Sequence, residues 1–322
     1  MTTRRSLLQG AAAGALLAGL PKAFAQDDTS TVSVLVGASS SMDFTARAIA
    51  DHLQATLHRP VIAVSKLGAG QRVAIGECKR AAPDGRTVVF ATTGPFAIHP
   101  HVYKKLDYDP LNDFTPIIGF SKFDVAVAVN AQLGVNSLPE LIEWVKQRKG
   151  DTIFASAPGN GSFSHFVGLA ISREAGLHMK HVPYKNSGVG IVDLAAGRIP
   201  IMLTGFSPLI PMHLEGKIKI LGTSGAERNK VVPDIPTVSE GGINVASSTT
   251  TGVFGPAGLP KEIVDRYYQA ILPLTSTPAL VEKLRGLGVE MWPATGEQLA
   301  AEIVREHAYF GKLAKDAGFE PA

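Results

Sequence analysis

The segment Ala157-Pro158-Gly159-Asn160-Gly161-Ser162-Phe163-Ser164-His165 carries the residues best suited to chemistry in this 322-residue chain. Its glycines let backbone amides approach a ligand, and Asn160, Ser162 and Ser164 add hydrogen-bond donors. It lies between a strand-like run and a helix, so free amides and the positive dipole end favour an anion. Ser162 or Ser164 serves equally well as a plain helix cap, and the sequence leaves both readings open. A matching turn, Gly37-Ala38-Ser39-Ser40-Ser41-Met42-Asp43, follows an earlier apolar run. There Ser39, Ser40 and Ser41 offer neutral donors, and Asp43 either joins the site or caps the next helix. Thr92-Thr93-Gly94-Pro95 is a third such turn. Three donor-rich strand-end loops are thus expected to converge on one cleft, where open α/β sheets bind ligands.

Other chemistries lack their parts. A serine hydrolase would need Ser162 or Ser164 activated by His165, but adjacent residues at a helix start point apart, and no G-x-S-x-G elbow is present. His99 and His101 have no third metal ligand nearby in sequence. The phosphate-binding G-x-x-x-x-G-K and the dinucleotide G-x-G-x-x-G are missing, and Gly68-Ala69-Gly70 is too short to replace them. No metal and no cofactor are expected. Neutral donors suit reversible capture of an ionised ligand, whereas catalysis needs a tuned acid, base or nucleophile. A binding receptor, not an enzyme, is the expectation.

The composition, 45% apolar and 18% charged, is that of a globular chain, and the lone Cys78 excludes a disulfide framework. Cys78 is expected to be a small buried apolar group. The formal charge of +3 is carried by Arg4, Arg5 and Lys22, ahead of the first acid, Asp27. The rest of the chain is neutral, with scattered basic residues and no nucleic-acid footprint. Paired arginines, an apolar run of about 11 residues and Ala23-Phe24-Ala25 read as a cleavable signal of twin-arginine type, since a membrane span needs about 20. A periplasmic protein beginning near Gln26 is expected.

The elements that must position the loops alternate. Strands are expected at Val32–Val36, Val61–Val64, Thr87–Ala91, Thr152–Ala155, His181–Val182, Ile199–Leu203, Ile218–Gly222 and Thr250–Phe254. Helices are expected at Asp43–Leu57, Arg72–Ala81, Ser164–Ala175 and Val189–Ala196, then, after a helix ending near Gly216, at Lys261–Leu274, Pro278–Leu287 and Thr295–Ala317. Such alternation implies α/β layers with mostly parallel sheets. The helix-rich end returning to the first block suggests lobe 1 at 26–122 plus 249–322 and lobe 2 at 123–248, after a signal at 1–25. Two lobes joined by two crossing segments make the hinged ligand cleft of a two-lobed periplasmic binding protein fold.

Several short markers, in order and spacing, make the chain similar to the solute receptors of tripartite tricarboxylate transporters, also called Bug proteins. They are Ala82-Pro83-Asp84-Gly85, then Ala97-Ile98-His99-Pro100 with Tyr103, and Tyr108-Asp109-Pro110 before Asp113-Phe114-Thr115-Pro116. His181-Val182-Pro183-Tyr184-Lys185 and Pro233-Asp234-Ile235-Pro236-Thr237-Val238 complete the set. The resemblance covers nearly the whole mature chain. It implies a monomeric periplasmic receptor that closes on a small carboxylate and delivers it to membrane permease subunits. It also implies that Ser39–Asp43, Thr92–Gly94 and Asn160–His165 hold carboxylates, with Tyr184 and Thr204-Gly205-Phe206 lining the second lobe.

The chain departs from the family where P-G-G becomes Ala38-Ser39-Ser40 and where an acid is replaced at Thr204-Gly205, which argues against an amine-bearing ligand. Phe44, Phe96, Phe163 and Phe206 fall at the expected cleft loops, and aromatic rings stack on flat ligands. An aromatic carboxylate such as terephthalate is therefore expected. An aliphatic di- or tricarboxylate, or a sensory role for the same cleft, is the alternative.

Overall fold

Short β-branched runs and amphipathic helices alternate through a computed structural model that describes residues 30–38, 41–148, 150 and 152–321. The expected signal, and Ser39 and Ser40, lie outside these residues. The first block is β1 (Val32–Val36), α1 (Ser41–Leu57), β2 (Val61–Ser65), α2 (Arg72–Lys79), β3 (Thr87–Thr92), α3 (Gly94–Ala97), α4 (His99–Val102) and β4 (Phe114–Phe123). The second is β5 (Val125–Asn130), α5 (Leu138–Lys146), β6 (Thr152–Ser156), α6 (Phe163–Glu174), β7 (Met179–Pro183), α7 (Ser187–Ala195), β8 (Ile201–Gly205), α8 (Ile210–Leu214) and β9 (Ile218–Thr223). The chain then returns through β10 (Thr249–Pro256), α9 (Lys261–Ile271), α10 (Pro278–Arg285), β11 (Val289–Thr295) and α11 (Gly296–Asp316).

Two sheets result, ordered β11-β4-β10-β3-β1-β2 and β7-β6-β8-β5-β9. They are mixed, not mostly parallel. β1 runs parallel to β2 and β3, and β6 runs parallel to β7 and β8. β10 runs antiparallel to β3 and β4, β11 to β4, and β5 to β8 and β9. The crossings dictate this. β4 leaves the first sheet where β10 enters it, with Phe123 opposite Thr249, so the two strands must oppose. Likewise β5 enters the second sheet opposite the end of β9, with Ala126 paired to Thr223.

Helix α1 buries Ala46, Ile49, Ala50 and Leu53 along one face, with Leu57 half-buried at its end. It starts at Ser41, however, so Asp43 sits inside the helix and does not cap it. Cys78 is fully buried and its Sγ lies 3.7 Å from the Phe254 carbonyl oxygen, while burial pushes its thiol up to about 12. α11 opens on a Thr295–Gln298 capping box and is long enough to serve both sheets. Its early turns bury Leu299 and Ile303 beside Phe254. Its later turns reach α6, where Phe310 meets Phe163 and Phe166 edge-on at 6.0 and 5.8 Å and Asp316 pairs with Arg173 at 2.7 Å. Among the described residues no helix is long and apolar enough to cross a membrane.

Candidate ligand-binding site

Parallel strands bring their carboxyl ends to one edge. In the first sheet Val36 stands level with Ser65 and Phe90, so the turns after β1, β2 and β3 share that edge. In the second, Ser156 stands level with Pro183 and Leu203, which groups the turns after β6, β7 and β8. The two groups meet where the bare Cα of Gly161 faces Val102. A Cβ there would lie 2.9 Å from a Val102 methyl, and φ is +72°. Glycine is required on both counts.

The Asn160–His165 turn is built around two histidines. Ser162 caps α6, its Oγ accepting from the His165 backbone N–H at 3.2 Å. The Gly161 N–H donates to His165 Nδ1 at 3.2 Å, and the His165 ring stacks on His181 at 3.7 Å. His181 Nε2 in turn bonds Ser156 Oγ at 2.8 Å. Burial pushes His165 down to about 3, helped by the neighbouring His181, and burial pushes His181 down to about 4, so both rings are neutral near pH 7. His165 therefore shapes the loop through its acceptor nitrogen, and no serine hydroxyl bonds its ring among the described contacts. Ser164 is 4% exposed and faces inward, whereas Asn160 is exposed.

Around this turn, Thr204 is buried and shares a 2.7 Å hydroxyl contact with Ser187. The Tyr184 hydroxyl donates to Asp193 at 2.8 Å, and Arg198 completes that trio at 2.5 Å. Gly205 has open space on its Cβ side, and Gly94 meets only Thr92 Oγ1 at 3.8 Å.

On the first sheet's edge, Asp43 accepts from Arg47 at 2.8 Å and from Ser65, contacts that hold its carboxyl below the usual range. It ties α1 to the end of β2. Thr93 is fully buried and sits against Thr250 and Glu306.

The four phenylalanines divide into two enclosed and two half-buried rings. Phe96 is 0% exposed, stacked on Phe254 at 4.5 Å and edge-on to Phe114. Phe206 is 2% exposed and fills the space over Gly288, where a Cβ would come within 2.2 Å of it. Phe163 packs on Phe310, and Phe44 lies under the Lys283 ammonium at 4.0 Å. Phe96 and Phe206 serve packing, whereas Phe44 and Phe163 stay half-buried.

No sequence motif marks Gln71. Its amide Nε2 donates to Thr92 Oγ1 at 2.7 Å, and its Oε1 accepts from the Thr92 N–H at 3.2 Å. The available signal was Gly68-Ala69-Gly70 itself, a glycine pair at a strand-to-helix junction. Gln71 adopts φ +76°, a region that asparagine tolerates better than glutamine. Gln71→Asn is expected to leave stability within about 1 kcal/mol while releasing Thr92. Calorimetric titration with a carboxylate that wild type binds should then show a several-fold loss of affinity, and unchanged binding would remove the Thr92 clamp from the site.

A groove of about 410 Å³ between the end of α1 and α9 includes Gly85, before the start of β3. Thr92, at the other end of that strand, is about 20 Å away, so the groove is separate from these loops. The described residues hold no cluster of three or more metal-ligating side chains.

Two α/β sheets joined by opposed crossing strands, with donor-rich turns at the carboxyl ends of both parallel sets, have the form of a solute-binding receptor. Residues 45–319 match the tripartite tricarboxylate transporter family receptor, TctC, and the chain belongs to that family. It is 30% identical over 324 residues to a UPF0065 protein of Bordetella bronchiseptica, covering 98% of this chain and 96% of that one. It is similar to the structure of R. palustris Rpa4515 with adipate, at TM-score 0.82 and 27% identity, covering 91% of this chain and 99% of that one. It is likewise similar to the periplasmic binding protein BugD, at TM-score 0.79 and 26% identity, covering 91% and 99%. Members of the family are periplasmic receptors for small carboxylates, not enzymes, and work with the membrane components of a transporter.

Proposed function

We propose that this chain is the receptor for a small aliphatic dicarboxylate, captured between a lobe of residues 26–122 plus 249–322 and a lobe of residues 123–248. On this reading residues 1–25 are a twin-arginine-type export signal, and the mature monomer hands its ligand to the transporter's permease subunits. The Thr92–Gly94 and Asn160–Ser164 turns provide donors from opposite lobes, and ligand contacts to both favour a closed state. One observation carries the aliphatic choice: Phe96 and Phe206 are fully enclosed against Phe254 and Gly288, which leaves only the half-buried Phe44 and Phe163. Two of the four rings on which a terephthalate-like ligand was expected to stack are thus enclosed in the core. The similar R. palustris structure with adipate supports the same choice.

A thermal-shift screen of the mature protein against adipate, malate, citrate, terephthalate and benzoate tests it. A ligand at about 100 times its Kd should raise Tm by roughly 5–10 °C. The shift is expected with adipate or malate. A shift with terephthalate and with no aliphatic acid would reinstate the aromatic reading.

A further inference from the structure

The turn from Gly68 to Gln71 holds four successive residues at positive φ: 133°, 46°, 62° and 76°. Two of them, Ala69 and Gln71, are not glycine. Such backbone is costly and persists where its surroundings over-determine it. Here Gln71 is fixed by its two bonds to Thr92 and by Gly37, where a Cβ would lie 2.7 Å from the Gln71 Cα. The strained turn thus locks the end of β1, the end of β3 and the start of α2 together.

Arg72 leaves this turn as the first residue of α2. Its Nε donates to the Ala69 carbonyl at 3.0 Å, and its guanidinium carbon lies 3.9 Å over the Tyr103 ring. Tyr103 is held edge-on by His99 at 5.1 Å. Among the described residues no carboxylate forms an ion pair with Arg72. An arginine held at two points, with its four terminal N–H groups uncommitted to any acid, is a prepared carboxylate fork. Ordering that side chain in advance lowers the entropy lost on binding. Its place fits, because Tyr103 directly follows Val102, the residue that faces Gly161 of the anion-binding turn.

We infer that Arg72 is a ligand contact that takes one carboxylate of the dicarboxylate at the lobe boundary, positioned by the strained Gly68–Gln71 turn and the Tyr103 ring. This inference rests on the receptor reading above. It adds one charged donor to the neutral donors expected from the sequence. Burial, with the nearby Arg72 charge, pushes His99 down to about 3, so the adjacent histidine brings no competing positive charge.

The test is calorimetric titration of wild type, Arg72→Gln and Arg72→Lys with adipate and malate, alongside adipamic acid, which keeps one carboxylate. For the acid that wild type binds, Arg72→Gln is expected to weaken affinity about 10- to 100-fold, Arg72→Lys to recover part of it, and Tm without ligand to fall by no more than about 4 °C. The wild-type preference for adipate over adipamic acid should shrink in Arg72→Gln. Wild-type binding that Arg72→Gln leaves intact overturns the assignment of Arg72 alone. A wild type that binds neither diacid overturns the dicarboxylate reading and this assignment together.

Discussion

Replacing Glu306 by glutamine is expected to stabilise this protein at pH 8 and to leave it unchanged near pH 4. Glu306 lies on α11, 7% exposed, with Oε1 unpartnered and the Thr93 hydroxyl as a hydrogen-bond partner of its carboxyl group. Burial pushes the carboxyl up to about 8 from an ordinary 4.5; Glu302 adds to the rise, and Thr93 and Arg305 oppose it. The folded chain therefore keeps a proton that the unfolded chain releases between these two values. Stability must fall as pH rises through that window, by up to about 1.4 kcal/mol per pH unit from this group. Glutamine keeps the shape and cannot ionise, so its stability should lack this fall and the gap from wild type should widen as pH rises. Urea titrations of both proteins from pH 4 to pH 8.5 measure it. Parallel profiles would mean that Glu306 is solvated and ionised in the folded state. The Thr93 contact ties this carboxyl to the Thr92–Gly94 turn, one of the two turns proposed above to bind ligand.

The strands and helices that carry the first and second loops were legible because each is a local pattern. Val32–Val36 alternates around one polar residue, and α1 repeats its apolar stripe every three to four residues. What escaped was set by distant partners. β11 contains Pro293, which reads as a strand breaker, yet a register shift between Met291 and Ala294 lets it pass along the edge of the first sheet. Trp292 then packs over Gly119, where a Cβ would approach the ring to 2.5 Å. β5 is a fully buried run whose antiparallel pairing follows from the crossing, not from its composition.

In the site, residue types at strand ends were readable and their partners were not. Nothing in the sequence around Phe96 or Phe206 says that Phe254 or Gly288 will meet the ring. Arg72 was equally silent, since its meaning comes from Tyr103, 31 positions away, and from the backbone of Gln71.

The position of α6 should depend on a single ring-to-glycine contact, and a double-mutant cycle can read its strength. Phe154 is fully buried in β6, with its ring 5.1 Å from His181 and 6.2 Å from His165. The same ring occupies the space over Gly168, where an added Cβ would lie 2.3 Å from Cε2. Phe154→Ala is expected to cost about 3–5 kcal/mol, as large-to-small changes in a closed core do. Gly168→Ala would gain close to about 1 kcal/mol from helix preference if it were exposed. Here the overlap should dominate and destabilise by about 1–3 kcal/mol. With the ring gone, the methyl introduced by Gly168→Ala fills part of the void, so the double variant should be more stable than the sum predicts by about 0.5–3 kcal/mol. Strict additivity in denaturant titrations would show that the Phe154 ring and Gly168 are not coupled. For the proposed site the consequence reaches the ligand, because α6 starts at the Ser162 cap and His165 holds Gly161. In Phe154→Ala the His165–His181 stack loses a packed neighbour, so carboxylate affinity should fall along with stability. In the double variant stability should recover further than affinity, since a methyl on α6 refills volume without restoring a face for the two imidazoles.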